Sequence, residues 1–219
     1  MVTNRTIDKV MDTLRKESAS WNAPVVTQMA SLSRDPYQVL IACLLSLRTK
    51  DETTGPAARR LFALADTPKK VLTLTKAQIE HAIYPVGFYK TKAQTVLDIS
   101  QELVDKYSSR VPNEIDELLT FKGVGRKTAN LVVTLGYQKP GICVDTHVHR
   151  ITNRWNYVET ETPEETEMAL RGKLPPQYWI EINDLLVAMG QTICHPTSPK
   201  CSICPIEKYC EKFGVERSR

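Results

Sequence analysis

The sequence lacks a hydrophobic run long enough to span a bilayer, and its first nine residues lack the apolar core of a secretory signal. We therefore expect a cytoplasmic protein and no membrane partner. A convincing stretch of alternating apolar and polar residues, the pattern of a half-buried strand, is also lacking. Apolar residues instead recur at steps of three and four, so the expected fold class is all-α.

Repeats and low-complexity tracts are absent from the 219 residues as well. The content of 42% hydrophobic and 25% charged residues is typical of a soluble globular protein. A formal net charge of +4 is compatible with nucleic-acid binding, although many proteins without that role share it. No feature of the sequence indicates an oligomer, so we expect a monomer.

Several helices begin at recognisable capping residues. Asp35 precedes a proline and opens the segment 37–45, which is apolar all round and therefore predicted to be buried. Between residues 93 and 107 the apolar positions keep the helical period. The other predicted helix starts are Asp51, Thr67 with Pro68, and Thr75 with Gln78 as a capping box.

Residues 121–130 read Phe-Lys-Gly-Val-Gly-Arg-Lys-Thr-Ala-Asn, and their two glycines interrupt helix-forming sequence on both sides. We predict a short helix over 113–119 with Asn113 as its N-cap, then a tight turn at Gly123 and Gly125, then a second helix. Backbone N–H groups exposed at the start of that second helix would form a phosphate-binding site. The alternative is an ordinary helix–helix connection, in which the glycines only allow positive φ angles.

Lys127 falls in the first turn of that second helix, where the helix dipole disfavours a cation. The dipole, together with the charges of Lys122 and Arg126, is expected to lower its pKa from about 10.4 and to supply a neutral amine. A lysine in this position is suited to act as a nucleophile.

Four cysteines near the C-terminus have the spacing C-x6-C-x2-C-x5-C and are predicted to form a closed four-thiolate metal site. An iron–sulfur cluster and a zinc ion are the two candidate occupants, and the presence of only one C-x2-C pair favours the cluster. Two further cysteines, Cys43 and Cys143, are predicted to be ordinary buried side chains. The four predicted ligands are Cys194, Cys201, Cys204 and Cys210.

Asp145 begins the segment Val-Asp-Thr-His-Val-His-Arg and is a candidate N-cap. His147, Arg150 and Arg154 follow at steps of three and four, so one face of this helix is basic. The face is either solvated or, if it lies beside DNA, a phosphate-binding surface.

From about Ile7 to Cys210 the chain resembles the endonuclease III family of base-excision DNA glycosylases. The hairpin of that family usually reads Leu-Pro-Gly-Val-Gly-Arg-Lys-Thr-Ala, and the four-cysteine spacing matches that of its 4Fe–4S cluster. Phe121 and Lys122 stand where the family has Leu and Pro. The resemblance implies a helix-hairpin-helix DNA glycosylase fold with two domains and an active site in the cleft between them. The implied bounds are 29–139 for a six-helix barrel domain, about 113–136 for its hairpin, and 1–28 with 140–219 for an iron–sulfur cluster domain.

The resemblance also implies an activity, that of a bifunctional DNA glycosylase and AP lyase of base excision repair. Such an enzyme removes oxidised pyrimidines from duplex DNA and cleaves the abasic site by β-elimination. In the family the lysine matching Lys127 is the nucleophile that forms an imine, and the aspartate matching Asp145 is the catalytic carboxylate. Implied DNA-binding residues are Lys122, Gly123, Val124, Gly125, Arg126, His147 and Arg150.

Two loops match the segments with which the family fills the gap left by a flipped nucleotide. They are residues 45–51 and 86–89, from which Arg48 and Phe88 are the candidate DNA contacts. Arg48 stands where the family commonly has Gln, so the preference for the opposite base is open. Alternatives are a mismatch glycosylase acting on thymine or adenine, and a DNA-binding iron–sulfur sensor without catalysis.

Overall fold

The computed structural model describes residues 1–21 and 24–219, and this part of the chain is helical, with no strand. The expected all-α class is confirmed. No helix within the described ranges has both the length and the apolar character that a membrane span needs. The helices in chain order are α1 Ile7–Ser18, α2 Val25–Ser33, α3 Pro36–Ser46, α4 Asp51–Leu64, α5 Pro68–Val71, α6 Lys76–Ile83, α7 Tyr89–Tyr107, α8 Ile115–Leu118, α9 Arg126–Leu131, α10 Thr146–Arg154, α11 Pro163–Lys173 and α12 Glu181–Thr192.

The chain forms two compact units, and the first comprises Val25–Lys139. Its centre is α3, which packs against α2, α4, α7 and α9. Eight of the eleven residues of α3 are buried, as the apolar character of the segment predicted. The helical path of α9 continues through a π-helical segment, Val132–Gly136, which also packs on α3. Of the remaining helices of this unit, α5 packs on α7, α6 on α4 and α7, and α8 on α9.

Of the caps predicted in this unit, those at Asp35, Thr67 and Thr75 are confirmed, and those at Asp51 and Asn113 are wrong. Oδ1 of Asp35 accepts hydrogen bonds from the backbone N–H groups of Tyr37 and Gln38, at 2.8 and 3.4 Å. Thr75 and Gln78 form the predicted capping box. Asp51, in contrast, is not a cap: α4 begins at Asp51 itself, and its Oδ2 accepts a hydrogen bond from the N–H of Val25 at 3.2 Å.

The second unit comprises Met1–Pro24 with Pro140–Arg219. In it α12 packs against α1 and α10, and α10 also packs against α11. The apolar stripe of α1 enters a core around the fully buried Trp155 and Tyr157. Beyond α12 the described chain contains only short 3-10 turns, among them Cys201–Ile203 and Glu207–Tyr209. This last segment therefore has little regular structure to stabilise it.

Candidate nucleic-acid interface and metal centre

The predicted hairpin is present between α8 and α9, although its first helix is shorter than expected. α8 begins at Ile115, with Glu114 rather than Asn113 in the N-cap position. Gly123 has a φ of 85°, which favours glycine, and the N–H of Val124 donates to the carbonyl oxygen of Phe121 at 3.1 Å. Val124 is buried, which anchors the turn, while both glycines are exposed. The turn therefore presents its backbone to solvent.

The start of α9 has no side-chain cap. Gly125 occupies the N-cap position in an extended conformation, and glycine has no side chain with which to cap the helix. Lys127 lies in the first turn and is exposed, as is Lys122, while Arg126 is half-buried. Burial raises the pKa of the Cys43 thiol in α3 to about 12, and the nearby charge of Lys127 opposes that rise. Lys127 therefore lies close to the central helix, at a helix end with positive charge.

The start of α10 is capped by Asp145, as predicted. Its Oδ1 accepts hydrogen bonds from the N–H groups of His147 and Val148, at 2.8 and 3.0 Å. The residue is only 9% exposed. A carboxylate at this end of a helix is stabilised both by the two bonds and by the helix dipole. Asp145 is thus held as a buried carboxylate in a fixed orientation.

The basic face of α10 is not a free, solvated stripe. Arg154 is 8% exposed, and its guanidinium donates to Sγ of Cys194 at 3.2 Å, to the carbonyl oxygen of His195 at 2.7 Å and to that of Pro196 at 2.6 Å. Arg150 donates to the carbonyl oxygen of Cys194 at 2.8 Å. These two arginines therefore bind the segment that carries the first of the four cysteines.

His147 lies in the first turn of α10, within reach of Arg150. Nδ1 of His147 is 3.0 Å from NH2 of Arg150. A guanidinium only donates hydrogen bonds, so Nδ1 of His147 is the acceptor in this contact.

The four predicted metal ligands line one cavity. Its walls include the apolar side chains of Trp155, Met189, Ile193 and Val215, and charged residues also line it: Arg154, Lys200, Glu207 and Lys212. The pKa of Cys204 is raised to about 12, chiefly by burial and to a smaller extent by the three other cysteines, whose thiolates would repel a fourth negative charge. The N–H of Lys212 donates to Sγ of Cys210 at 3.4 Å. Thiolates that line one cavity repel one another, and a positively charged group between them would offset that repulsion.

A zinc ion and an iron–sulfur cluster require different distances between the four cysteines that bind them. In the described part of the chain, no three His, Cys, Asp or Glu side chains converge closely enough to hold a single metal ion. A zinc ion would need sulfur atoms at about 2.3 Å from one point. A cluster spreads its thiolate bonds over several iron atoms, so its cysteines stand further apart. The four cysteines that line this cavity are as many thiolate ligands as a 4Fe–4S cluster takes.

Comparisons with known proteins identify the family. Residues 41–176 match the model of the HhH-GPD superfamily of base excision DNA repair proteins. The endonuclease III of Thermotoga maritima is 46% identical over 179 residues, which are 82% of this chain and 84% of that protein. This chain belongs to the endonuclease III family. It is a DNA glycosylase and AP lyase of base excision repair by family membership.

Solved structures agree with the assignment. A trapped covalent intermediate of endonuclease III with DNA has a TM-score of 0.83 and 31% identity to this chain, and covers 97% of each chain. The helix-hairpin-helix glycosylase fold is therefore confirmed. Eukaryotic relatives are longer: the chicken endonuclease III-like protein 1 is 42% identical over 80% of this chain, which spans 63% of that relative.

The two loops expected to fill a DNA gap in this endonuclease III family member contact one another. The guanidinium carbon of Arg48 lies 5.8 Å from the centre of the Phe88 ring. Leu47, Arg48 and Phe88 are all exposed, and we call these three residues the loop tip. Arg48 and Phe88 have φ angles of 51° and 58°, which are uncommon for residues other than glycine. Both tip segments are therefore held in a conformation that the surroundings must impose.

The sequence analysis did not predict that two basic side chains, Arg154 and Lys92, are buried. The helical pattern puts Arg154 on a basic face open to solvent or DNA, and it does not single out Lys92. Lys92 lies four residues before the buried Val96 and seven before the buried Ile99, so it occupies the apolar stripe of α7. Arg154 adjoins the fully buried Trp155. A basic residue placed among buried positions of a helix was the available signal in both cases.

Proposed function

We propose that this protein uses Lys127 as the nucleophile and Asp145 as the assisting carboxylate in the excision of oxidised pyrimidines from duplex DNA. The observation that carries the proposal is the position of Lys127, an exposed amine in the first turn of α9 directly after the Gly-Val-Gly turn. The lysine and both glycines of the family hairpin are all present in this chain. A related endonuclease III has been solved as a trapped covalent intermediate with DNA, and such an amine would form a covalent species of this kind.

The reaction follows from these two groups. The damaged nucleotide leaves the stack, because its sugar is inaccessible inside the duplex. The neutral amine of Lys127 attacks C1′ as the bond to the base breaks, and the base leaves with the bonding electron pair and takes up a proton. Asp145 stabilises the positive charge that develops on the sugar, or accepts the proton that the amine gives up. Opening of the sugar ring then gives an imine between Lys127 and C1′.

Strand cleavage is the second stage. The imine withdraws electrons from C2′, so a proton there can be removed. Electrons of the C2′–H bond then form a double bond to C3′, and the 3′ phosphate leaves as the β-elimination product. Hydrolysis of the imine returns the free lysine.

The hairpin and α10 would bind the DNA backbone around the lesion. Exposed N–H groups and positive charge at a helix start favour a phosphate. In this chain the turn residues Gly123 and Gly125, with Lys122 and Arg126 beside them, supply both features. His147 and Arg150 are proposed to contact the same backbone. The partner is double-stranded DNA that contains a damaged base or an abasic site.

We further propose that Cys194, Cys201, Cys204 and Cys210 hold a 4Fe–4S cluster. Its role would be structural, since it would join a segment that contains only short turns, and the proposed reaction requires no electron transfer. We expect a yellow-brown protein with about four irons per chain. Cys204→Ser should lower soluble yield and iron content, while Cys43→Ser, which removes a buried thiol outside the site, should leave the iron content unchanged. Stoichiometric zinc in a colourless, anaerobically purified sample would contradict the assignment.

The experiment that tests the function is a panel of duplex oligonucleotides that carry an oxidised pyrimidine, a mismatch or an abasic site. Base release and strand cleavage are scored separately. We expect both on oxidised pyrimidines and cleavage alone on abasic DNA. Base release from mismatches without strand cleavage would indicate a mismatch glycosylase, and binding without either reaction would indicate a sensor.

A further inference from the structure

The side chain of Lys92 in α7 is turned inward and only 8% exposed. Its ammonium group donates to the carbonyl oxygen of Leu45 at 2.8 Å, to that of Leu47 at 2.5 Å and to Oγ1 of Thr49 at 3.1 Å. An ammonium group has three N–H donors, and here each has an oxygen acceptor. Lys92 therefore joins α7 to the end of α3 and to the turn that follows it.

The acceptors explain why a cation occupies this position. The last carbonyl groups of a helix have no partner within the helix and carry its negative dipole. The carbonyl of Leu45 belongs to the final turn of α3, which ends at Ser46. Leu47 is the first residue after the helix. Lys92 supplies the missing donors from a different helix. The end of α3 and the turn after it are thereby held in one conformation.

A second set of contacts ties the other loop to this one. The N–H of Gly87 donates to Oγ1 of Thr49 at 3.1 Å, and the Thr49 hydroxyl is placed to donate to the carbonyl oxygen of Leu47 at 3.3 Å. The backbones approach so closely that a Cβ on Gly87 would lie 2.8 Å from the carbonyl oxygen of Arg48. The residues on either side of the loop tip therefore belong to one hydrogen-bonded network, in which Lys92 and Thr49 are the common partners.

We propose that Lys92 is a positioning residue that fixes Leu47, Arg48 and Phe88 as a single preformed wedge for the gap in damaged DNA. The inference rests on the proposed function, because it assigns the loop tip to the space left by a flipped nucleotide. A tip that is ordered before binding loses less conformational entropy when it inserts. The positive φ angles of Arg48 and Phe88 and the contact between their side chains are the features that the network maintains.

The energetics of Lys92 agree with a role in positioning. Burial of an ammonium is unfavourable, and it lowers the pKa of Lys92 to about 8. At neutral pH the amine therefore stays largely protonated and keeps all three donors. A buried charge that binds neutral oxygen atoms is a weak means of stabilising a fold, and it is an effective means of fixing a turn.

Three variants of the full chain test the proposal. Lys92→Met removes the three donors at similar length, and Thr49→Val removes only the shared hydroxyl. Lys106→Met is the matched control, since Lys106 is on the same helix, is exposed and forms a surface ion pair with Glu102. Dissociation constants are measured for a duplex with a tetrahydrofuran abasic analogue and for the same duplex without damage. Melting temperatures establish that each variant is folded.

We expect Lys92→Met to bind the abasic duplex about tenfold more weakly and the undamaged duplex about as well as the unmodified protein. Thr49→Val should shift the same ratio in the same direction by a smaller factor, and Lys106→Met should leave it unchanged. A 2-aminopurine placed opposite the abasic analogue supplies a second readout. Its fluorescence should rise on binding of the unmodified protein, because insertion of the tip unstacks it, and should rise less with the two loop variants.

Two results would overturn the inference. If folded Lys92→Met and Thr49→Val keep the affinity ratio and the fluorescence change of the unmodified protein, Lys92 does not position the tip. If Lys92→Met is unfolded, the result for Thr49→Val alone tests the inference, because that variant keeps the bonds of Lys92 to the carbonyl oxygens of Leu45 and Leu47. Failure of the proposed function has a different signature, since the unmodified protein would then neither prefer nor cleave abasic DNA.

Discussion

Each of the two units contains a buried cation that hydrogen-bonds a distant segment of the chain, and the surroundings of the two cations differ. Lys92 and Arg154 are each 8% exposed, and each binds backbone carbonyl oxygen atoms of a distant segment of the chain. Lys92 has only neutral acceptors among its hydrogen bonds, whereas Arg154 also reaches the sulfur of Cys194. The charge of Arg154 is thus offset by a potential thiolate, while that of Lys92 is offset by dipoles alone.

The two cations also differ in how strongly they retain their proton. A guanidinium keeps its charge at any pH at which proteins fold and forms several bonds in a fixed plane, which suits a permanent metal centre. An ammonium can lose its proton, and burial brings the pKa of Lys92 to about 8. The cysteine segment is therefore held by a permanent charge, and the loop tip by a charge whose retention depends on pH.

The largest effect is expected from removal of Arg154. Arg154→Met leaves the carbonyl groups of His195 and Pro196 and the sulfur of Cys194 without their donor. We expect a loss of about 2 to 4 kcal/mol in the free energy of unfolding and a lower iron content. Urea denaturation and iron analysis measure both. Arg5→Met, at an exposed position of the same unit, is the control and should change neither. Equal behaviour of the two variants would contradict the role given to Arg154.

The pH dependence of stability sharpens the comparison. The pKa of Lys92 is about 8 in the folded protein and about 10.4 in the unfolded chain. At a pH between these two pKa values, the unfolded chain binds more protons than the folded protein does. The free energy of unfolding therefore rises with pH in this interval. We expect the difference between the unmodified protein and Lys92→Met to change by about 1.4 kcal/mol per pH unit in this interval, in favour of the unmodified protein. Urea denaturation at pH 8 and pH 10 measures it.

The difference between two proteins is needed because other groups titrate in the same interval. All residues other than position 92 are the same in both proteins. Their contributions therefore cancel. A difference that stays constant between pH 8 and pH 10 would show that the ammonium of Lys92 remains charged, and the contrast with Arg154 would disappear.

The smallest effect concerns Arg48. Its guanidinium offers five donors, which favours an acceptor-rich base such as guanine opposite the lesion. We expect a preference of about fivefold among the four opposite bases, and Arg48→Gln should reduce or reorder it while cleavage of abasic DNA continues. Rates of base release with each opposite base measure the preference. The same ranking in both proteins would place Arg48 away from the orphaned base.

The parts of the molecule that were predicted from the sequence are those fixed by local interactions. The Asp35 cap, the capping box of Thr75 and the Asp145 cap each involve residues within three positions of one another. Local patterns also gave the Gly-x-Gly turn and the buried character of α3. Two local predictions were wrong, the start of α8 and the Asp51 cap. The carboxylate of Asp51 instead accepts a hydrogen bond from Val25, which is distant in sequence.

The parts that could not be predicted depend on contacts between distant segments. Lys92 binds residues more than forty positions away, and so does Arg154 when it binds His195 and Pro196. A lysine or arginine in a helix is ordinarily solvated, and only the position among buried neighbours distinguished these two. The catalytic and DNA-binding assignments came from the family resemblance, and they stay proposals at the level of single residues.

The central claim is that Lys127 forms an imine with DNA, and borohydride trapping tests it most directly. Reduction of the imine joins enzyme to DNA covalently, and gel electrophoresis detects the product. Lys127→Gln keeps the length of the side chain but cannot form an imine, so trapping and strand cleavage should disappear together. DNA binding should persist because the turn amides and Arg126 remain. The control Lys106→Gln should trap as the unmodified protein does. A trapped complex with Lys127→Gln would show that a different amine attacks C1′, and would contradict the account.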